Sequence, residues 1–481
     1  MILCRFKPSM LAWLVLLCSS RAACAGDAID GYIEQQLHSA GIPGVALLVM
    51  QGGRVVKEQG YGFANLEHQV RVTPDTLFQS GSTGKMFTAV AVLRLADDGA
   101  LRLDDPLSAY YPDAPSAWHR ITIRQLLTHT SGIKDYAEIN SGDLDYRKDY
   151  TDDELLAAMQ KLPLDFEPGA QWSYSNSGYV ILGLLVSKLA GKDYSEFLAE
   201  RLFRPLGMPT IQLISERRIT PNRAAGYERD EKGVLGNQAW VAPGLNRTAD
   251  GSLYYSLRDL EAWERALDAG KFMRADDFVS WWTPVRLNDG TRFPYGFGWH
   301  LAEQRGERVI EHGGSWQGFK AAIVRYPDQQ LAVLVMANAA HADAGRIAST
   351  VAGLVEPRLA ERPSGEAGGS TDPERAARLL DVLEAWGHYR TSPAMAPALA
   401  RRSTGSAVEA HGRQHIATLL RTARSLRLLG SDELSKAAVT AMSDGTVRST
   451  DALLEGPGGD TRLRFRLDGA GRVLDFQVVG P

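Results

Sequence analysis

Ser82 and Lys85 stand three residues apart in the stretch Gln79-Ser-Gly-Ser-Thr-Gly-Lys-Met86, and two kinds of chemistry compete for that spacing. Gly-Ser-Thr-Gly-Lys looks like the end of a phosphate-binding loop, whereas Ser82-Thr-Gly-Lys85 looks like a serine nucleophile with an amine beside it. A phosphate loop requires a glycine five residues before Gly84 and a hydroxyl residue after the lysine. Gln79 and Met86 hold those positions, so neither the phosphate cradle nor the magnesium-binding hydroxyl is there. The serine reading requires a helix, because side chains at i and i+3 meet on its first turn. It also requires a lysine whose pKa is lowered by burial and by the positive end of the helix dipole, so that it can take the serine proton. Met86–Ala96 is apolar on nearly every side, as a helix in the middle of a domain is. Ser82 would then stand at a buried helix N-terminus, with its own N–H available to a developing oxyanion. A second quartet, Ser131-Gly-Ile-Lys134, is interrupted by Gly132 and followed by a polar, acidic run; it is expected to be a surface loop.

Two further stretches carry polar groups ahead of regular elements. Trp172-Ser-Tyr174-Ser-Asn176-Ser-Gly178 leads into an apolar run from Tyr179, and Glu311-His312-Gly313-Gly314-Ser315-Trp316 precedes a strand-like run from Phe319. Taken singly, the first reads as helix capping by Ser and Asn and the second as a glycine turn. Taken in order, Ser82-x-x-Lys85, Tyr174-x-Asn176 and His312-x-Gly314 resemble the signature of the serine-reactive penicillin-recognising family. Class C β-lactamases, D,D-carboxypeptidases, esterases and D-aminopeptidases belong to that family. Leu126–Ile133, Pro205–Met208 and Tyr295–Trp299 resemble its flanking segments, and the likeness spans about residues 28–357.

The resemblance implies an α+β fold: an antiparallel sheet flanked by helices, with a mostly helical subdomain. It implies an acyl-enzyme on Ser82, with Lys85 either accepting the proton or supporting Tyr174, which would pass it to the leaving group. Asn176, His312, Gly313 and Gly314 would bind substrate, and the backbone N–H groups of Ser82 and Ser315 would form the oxyanion hole. No metal or other cofactor is implied, and the partner is a small molecule or short peptide. His312 departs from the lysine usual in the β-lactamases, and a histidine is charged only part of the time near neutral pH. D-Amino-acid peptides, peptidoglycan stems included, are therefore the first substrate expectation and small carboxylic esters the second. A slowly acylating penicillin-binding-like sensor or scaffold is the reading from another class.

The remaining chain must position these residues. Val45–Met50 and Arg54–Glu58 around Gly52-Gly53 read as a hairpin. Tyr295–Leu301, Arg308–Glu311, Phe319–Tyr326 and Leu331–Asn338 read as strands, Gly178–Ala190 and Ser256–Ala269 as helices. Strands at both ends with helices between suggest one mixed sheet. The hydrolase domain is expected over 26–358, a linker over 359–373, and a small α+β domain over 374–481. In that last part, helices at Glu374–Trp386 and Arg413–Ala423 precede a period-two meander with turns at Asp444-Gly445 and Asp468-Gly469. Residues 1–25 have the layout of a signal peptide: Arg5 and Lys7, the apolar run Met10–Cys18, and Ala23-Cys-Ala25. All three cysteines fall there, so the mature chain would have no cysteine chemistry and would suit the bacterial periplasm. Leu17 and Arg21 fit poorly with lipoprotein processing at Cys18 or Cys24. A net charge of −4 over 481 residues offers no attraction for nucleic acid or an anionic membrane. His411 and His415 are expected on a solvated helix face, and Trp281 and Trp282 in packing.

Overall fold

The apolar run after Pro43 and the alternating run after Gly53 form the hairpin β1 (Gly44–Gln51) and β2 (Arg54–Asn65), followed by the short β3 (Val70–Arg71). The other half of the sheet comes from more than two hundred residues later: β4 (His300–Gln304), β5 (Glu307–Trp316), β6 (Phe319–Tyr326) and β7 (Leu331–Ala337). The order is β4-β5-β6-β7-β1-β2-β3, antiparallel throughout, and β7 pairs directly with β1 from Val45↔Ala337 to Gln51↔Leu331. In this computed structural model the described residues are 28–360, except 137–144, 231, 271 and 305. They also include 373–387, 392–395, 420, 425–433, 448–455, 461–467 and 472–480. The expected leader, residues 361–372 of the linker expected over 359–373, both C-terminal turns, His411 and His415 lie outside them, as does the Arg413–Ala423 helix apart from Leu420.

In chain order the helices are α1 (28–40), α2 (Lys85–Asp97), α3 (Ile123–Leu127), α4 (Asp152–Gln160) and α5 (Asn176–Ala190). Then come α6 (Tyr194–Leu198), α7 (Leu257–Ala269), α8 (Ala275–Trp281), α9 (Ala344–Val355) and α10 (Pro373–Gly387). Strand side chains alternate between faces, and β1 is buried on both. Val45, Leu47 and Val49 pack with Ile29 and Ile33 of α1 and Ile347 and Val351 of α9. Ala46, Leu48 and Met50 face the larger core that surrounds α2. Helix α2 buries Met86, Phe87, Val90, Val92 and Leu93, each contributing about 1.5–3 kcal/mol. It packs on α5, where Gly183 lies so close to Ala249 that a Cβ would meet it at 2.2 Å. Near the other end of the chain, Leu379, Val382, Leu383 and Trp386 of α10 form a separate cluster with Leu463, Phe465, Leu467 and Val473. The strands there, β8 (Ser425–Glu433), β9 (Arg448–Glu455), β10 (Thr461–Leu467) and β11 (Val473–Gly480), form an antiparallel meander. Among the described residues, no helix is long and apolar enough to cross a membrane.

Two expectations need correction. The strand expected over Tyr295–Leu301 begins only at His300, because Gly298 has φ +77°, a backbone region incompatible with an extended strand. Nor do His312–Ser315 form a turn ahead of a strand. They lie within β5, paired as His312↔Ile323, Gly313↔Ala322, Gly314↔Ala321 and Ser315↔Lys320. The glycine at 314 serves close approach: a Cβ there would fall 2.0 Å from the Ser80 carbonyl oxygen. At Gly313 the nearest atom to such a Cβ is 3.9 Å away. Gly314→Ala is therefore expected to lower stability by about 1–3 kcal/mol, and Gly313→Ala to stay within about 0.5 kcal/mol, measured by urea unfolding of the two variants.

Candidate active site

The turn before α2 is anchored from three sides. Gly81–Gly84 forms a 3-10 turn with Gly81 at φ +49°, and a Cβ on Gly81 would lie 2.3 Å from the Ser315 nitrogen. This contact brings the Gly81 backbone against the Ser315 amide. The Thr83 hydroxyl bonds the Ser80 carbonyl (2.8 Å) and the Tyr255 hydroxyl (2.7 Å). The Ser80 hydroxyl donates to the Gly251 carbonyl (2.5 Å).

Lys85, the first residue of α2, is fully buried. Its Nζ lies 3.1 Å from Ser82 Oγ, 2.7 Å from Asn176 Oδ1 and 2.6 Å from the Asp250 carbonyl oxygen. Asn176 and Asp250 present acceptors only, so they take two N–H groups of the amine and leave its third position directed at Ser82. Burial pushes the Lys85 ammonium down to about 8, against the pull of Asp250 and Asp135. The Tyr174 ring lies under the amine, 4.8 Å from its centroid. Burial raises the Tyr174 phenol well above its ordinary value, opposed by the Ser82 hydroxyl. Its Oη is buried beside the Ser82 hydroxyl.

Asn176 opens α5, whose N-cap Ser175 accepts from the Gly178 N–H. Its amide is engaged on both atoms: Nδ2 donates to Asp135 Oδ2 (2.9 Å) while Oδ1 accepts from Lys85, and the second Nδ2 hydrogen is left for another acceptor. A carboxylate can only accept, so Asp135 dictates which way the Asn176 amide faces. Asp135 comes from the stretch expected to be a surface loop. That expectation is corrected: Ser131, Gly132, Ile133 and Asp135 are buried. The run wraps the start of α5, with the Ser175 hydroxyl on the Ile133 carbonyl (2.9 Å), the Ser177 hydroxyl on the Lys134 carbonyl (2.7 Å) and Lys134 paired with Asp165 (3.0 Å). Polar residue types concealed the burial because helix-start hydroxyls satisfy the loop's backbone groups.

A second chain of hydrogen bonds sets the state of His312. The Ser175 N–H donates to His129 Nδ1 (3.1 Å), His129 Nε2 meets the Tyr295 hydroxyl (3.1 Å), and that hydroxyl meets His312 Nε2 (3.1 Å). At the far end His312 Nδ1 faces the Gly313 carbonyl (2.7 Å). Both ends agree on the proton positions. An N–H on one side and a carbonyl on the other are both met when His129 Nε2–H donates to Tyr295 and Tyr295 O–H donates to His312 Nε2. Burial also pushes both imidazoles well below their ordinary value, with Lys85 and His300 adding to it. His312 is therefore a neutral group, not the part-time cation its type suggests. Burial takes the neighbouring His300 down to about 4.

Ser82, Tyr174, His312, Gly313, Gly314 and Ser315 thus come together along one cleft of about 600 Å³, with Lys85 and Asn176 behind Ser82. His129 and Tyr295 lie within segments that carry the family likeness, although neither reads as a site residue in isolation. Asp135 sits inside the supposed surface loop, and Asp250 contributes a backbone oxygen that residue type cannot signal. Among the described residues no cluster of three or more His, Cys, Asp or Glu could hold a metal.

Residues 29–356, more than half of the chain, match the family model described as Beta-lactamase. A penicillin-binding protein of Bacillus subtilis (strain 168) is 29% identical over 61% of this chain and 67% of its own length. A D-aminopeptidase of Gluconobacter oxydans (strain 621H) is 31% identical over 64% of this chain and 57% of its own length. The chain thus spans between just over half and two thirds of these curated relatives. The octameric penicillin-binding protein homologue from Pyrococcus abyssi superposes with a TM-score of 0.62 over 95% of this chain and 98% of its own. At 21% identity this is a likeness of fold alone.

Lys85 is surrounded by Asp135, Asp250, Tyr174, Tyr179, His129 and His312, and Asp135 both orients Asn176 and favours the ammonium. Asp135→Asn should shift the Lys85 titration to lower pH and, by releasing the Asn176 amide, reduce kcat about ten- to a hundredfold. The pH dependence of kcat/KM for a neutral ester checks both effects.

Proposed function

Because this chain belongs to the Beta-lactamase family, we propose that it is a serine hydrolase that cleaves small amides or esters through an acyl-enzyme on Ser82. The observation that carries the mechanism is the Lys85 amine, 3.1 Å from Ser82 Oγ with its other hydrogens engaged. In its neutral form the amine directs a lone pair at the serine hydroxyl, the geometry a general base requires. Tyr174, with its phenol raised by burial, is the proton donor of the pair and not the base.

Ser82 Oγ attacks the substrate carbonyl carbon as its proton passes to Lys85 Nζ. The carbonyl π electrons move onto oxygen, which the N–H groups of Ser82 and Ser315 receive. Collapse of this intermediate expels the amine or alcohol, which takes a proton from the Lys85 ammonium by way of the Tyr174 hydroxyl. Water then attacks the acyl carbon, its proton going to Lys85, which passes it to Ser82 Oγ as the acyl–oxygen bond breaks and the acid leaves.

D-Amino-acid amides and peptides are the favoured substrates. The D-aminopeptidase likeness supports this, and so does a neutral His312, which removes the fixed cation expected of an efficient β-lactamase. The leader-like residues 1–25 support export, with the periplasm as the site of action.

Two outcomes test this reading. Ser82→Ala should lower turnover of a D-amino-acid amide by roughly four to six orders of magnitude, read by amine release, and should abolish the mass adduct formed with a nitrophenyl ester. A persistent adduct on the wild-type chain without turnover would replace hydrolysis by slow acylation. For the active protein, kcat/KM should rise with pH through a limb near 8 and flatten above it. The sign follows because the neutral Lys85 is the reactive form and burial has brought its titration down to about 8.

A further inference from the structure

The segment Ala249–Gly251 is fixed against α2 and Ser80 through three consecutive carbonyls. Thr88 Oγ1 donates to that of Ala249 (2.6 Å), Lys85 Nζ to that of Asp250 (2.6 Å) and Ser80 Oγ to that of Gly251 (2.5 Å). The backbone of an acidic residue is thereby held against a buried amine, while its side chain is left to turn about its own bonds. A carboxylate close to an ammonium favours the charged form by about one to three pH units. If the Asp250 carboxylate paired directly with Lys85, it would keep the amine protonated where the chemistry needs a lone pair.

The structure turns that carboxylate elsewhere. Tyr136 Oη donates to Asp250 Oδ2 (2.8 Å). Tyr136 is buried, and its own N–H donates to Ser177 Oγ (2.8 Å) at the start of α5. Burial and the Asp250 charge raise its phenol well above the ordinary value, so it remains a donor wherever Lys85 titrates. The other nearby acid is treated alike, with Asp135 Oδ2 accepting from the Asn176 amide (2.9 Å). Consecutive residues, Asp135 and Tyr136, thus set the two groups whose oxygens accept from Lys85. Tyr174, Tyr179, His129 and His312 also face the amine, and Tyr146 and Tyr194 face Asp250. Burial keeps all six neutral, so none offsets a change in the position of the carboxylate.

We propose that Tyr136 is a positioning residue that holds the Asp250 carboxylate off Lys85, so that Asp250 offers the amine a carbonyl acceptor and not a counter-ion. This rests on the reading of Lys85 as the base that activates Ser82, and it adds a reason why that base is available in neutral form.

The test reads the protonation of Lys85 without turnover. In protein isotopically labelled at lysine Cε, the Lys85 resonance, identified by its absence from Lys85→Met, is titrated by nuclear magnetic resonance. Tyr136→Phe should raise its midpoint by about one pH unit. The kcat/KM for a neutral ester should then fall about tenfold below the midpoint and less above it. Tyr136→Met, a second variant without the donor, should shift the midpoint in the same direction. Asp250→Asn keeps the backbone carbonyl and should lower the midpoint. The double variant Tyr136→Phe/Asp250→Asn should titrate within about 0.3 pH unit of Asp250→Asn alone. A midpoint that stays or falls in the Tyr136 variants, or a rise that persists in the double variant, overturns the proposal. Failure of the base reading shows separately, as a kcat/KM limb that does not follow the Lys85 midpoint when that midpoint moves.

Discussion

A lysine amine enclosed by protein has to be satisfied, and the arrangement around Ser82 follows from how this one is. Lys85 lies wholly inside the helical core, with two oxygens at 2.6 and 2.7 Å and the nucleophile at 3.1 Å. Two acceptors and one hydroxyl suit a neutral amine, whose two hydrogens and one lone pair match them. Burial makes that form accessible, while Asp135 and Asp250 keep the pKa from falling further. Ser82 comes from the turn just before α2, but the two oxygens come from distant parts of the chain: Asn176 from the start of α5 and Asp250 from the loop before α7. Packing of α2 on α5, with Gly183 against Ala249, is therefore also a requirement of the chemistry.

The second constraint is the proton order along Ser175, His129, Tyr295 and His312. An N–H at one end and a carbonyl at the other fit an assignment that gives His312 no charge, the form that burial also favours.

Much of this was legible from residue types. The uniformly apolar run after Lys85 announced a buried helix, and it spans Lys85–Asp97. The apolar strand-like runs at Phe319–Tyr326 and Leu331–Asn338 announced strands that lie where expected. The segment Ser131–Tyr136 misled because polarity was taken for exposure, whereas its carbonyls are met by Ser175 and Ser177. His312–Ser315 misled because paired glycines normally signal a turn, whereas here Gly314 admits a backbone contact that any side chain would block.

By itself, the sequence determined the chemical inventory: a serine and a lysine on one helical turn, a tyrosine and an asparagine ahead of a second apolar helix, and a histidine beside two glycines. Local periodicity and motif order suffice for that, since both depend on neighbours along the chain. Only the tertiary structure decided the protonation of Lys85 and His312 and the commitment of Asn176 to Lys85. Those depend on burial and on partners such as Asp250, 165 positions from Lys85, Asp135, 41 from Asn176, and Tyr295, 17 from His312, and these meet only once the sheet has closed.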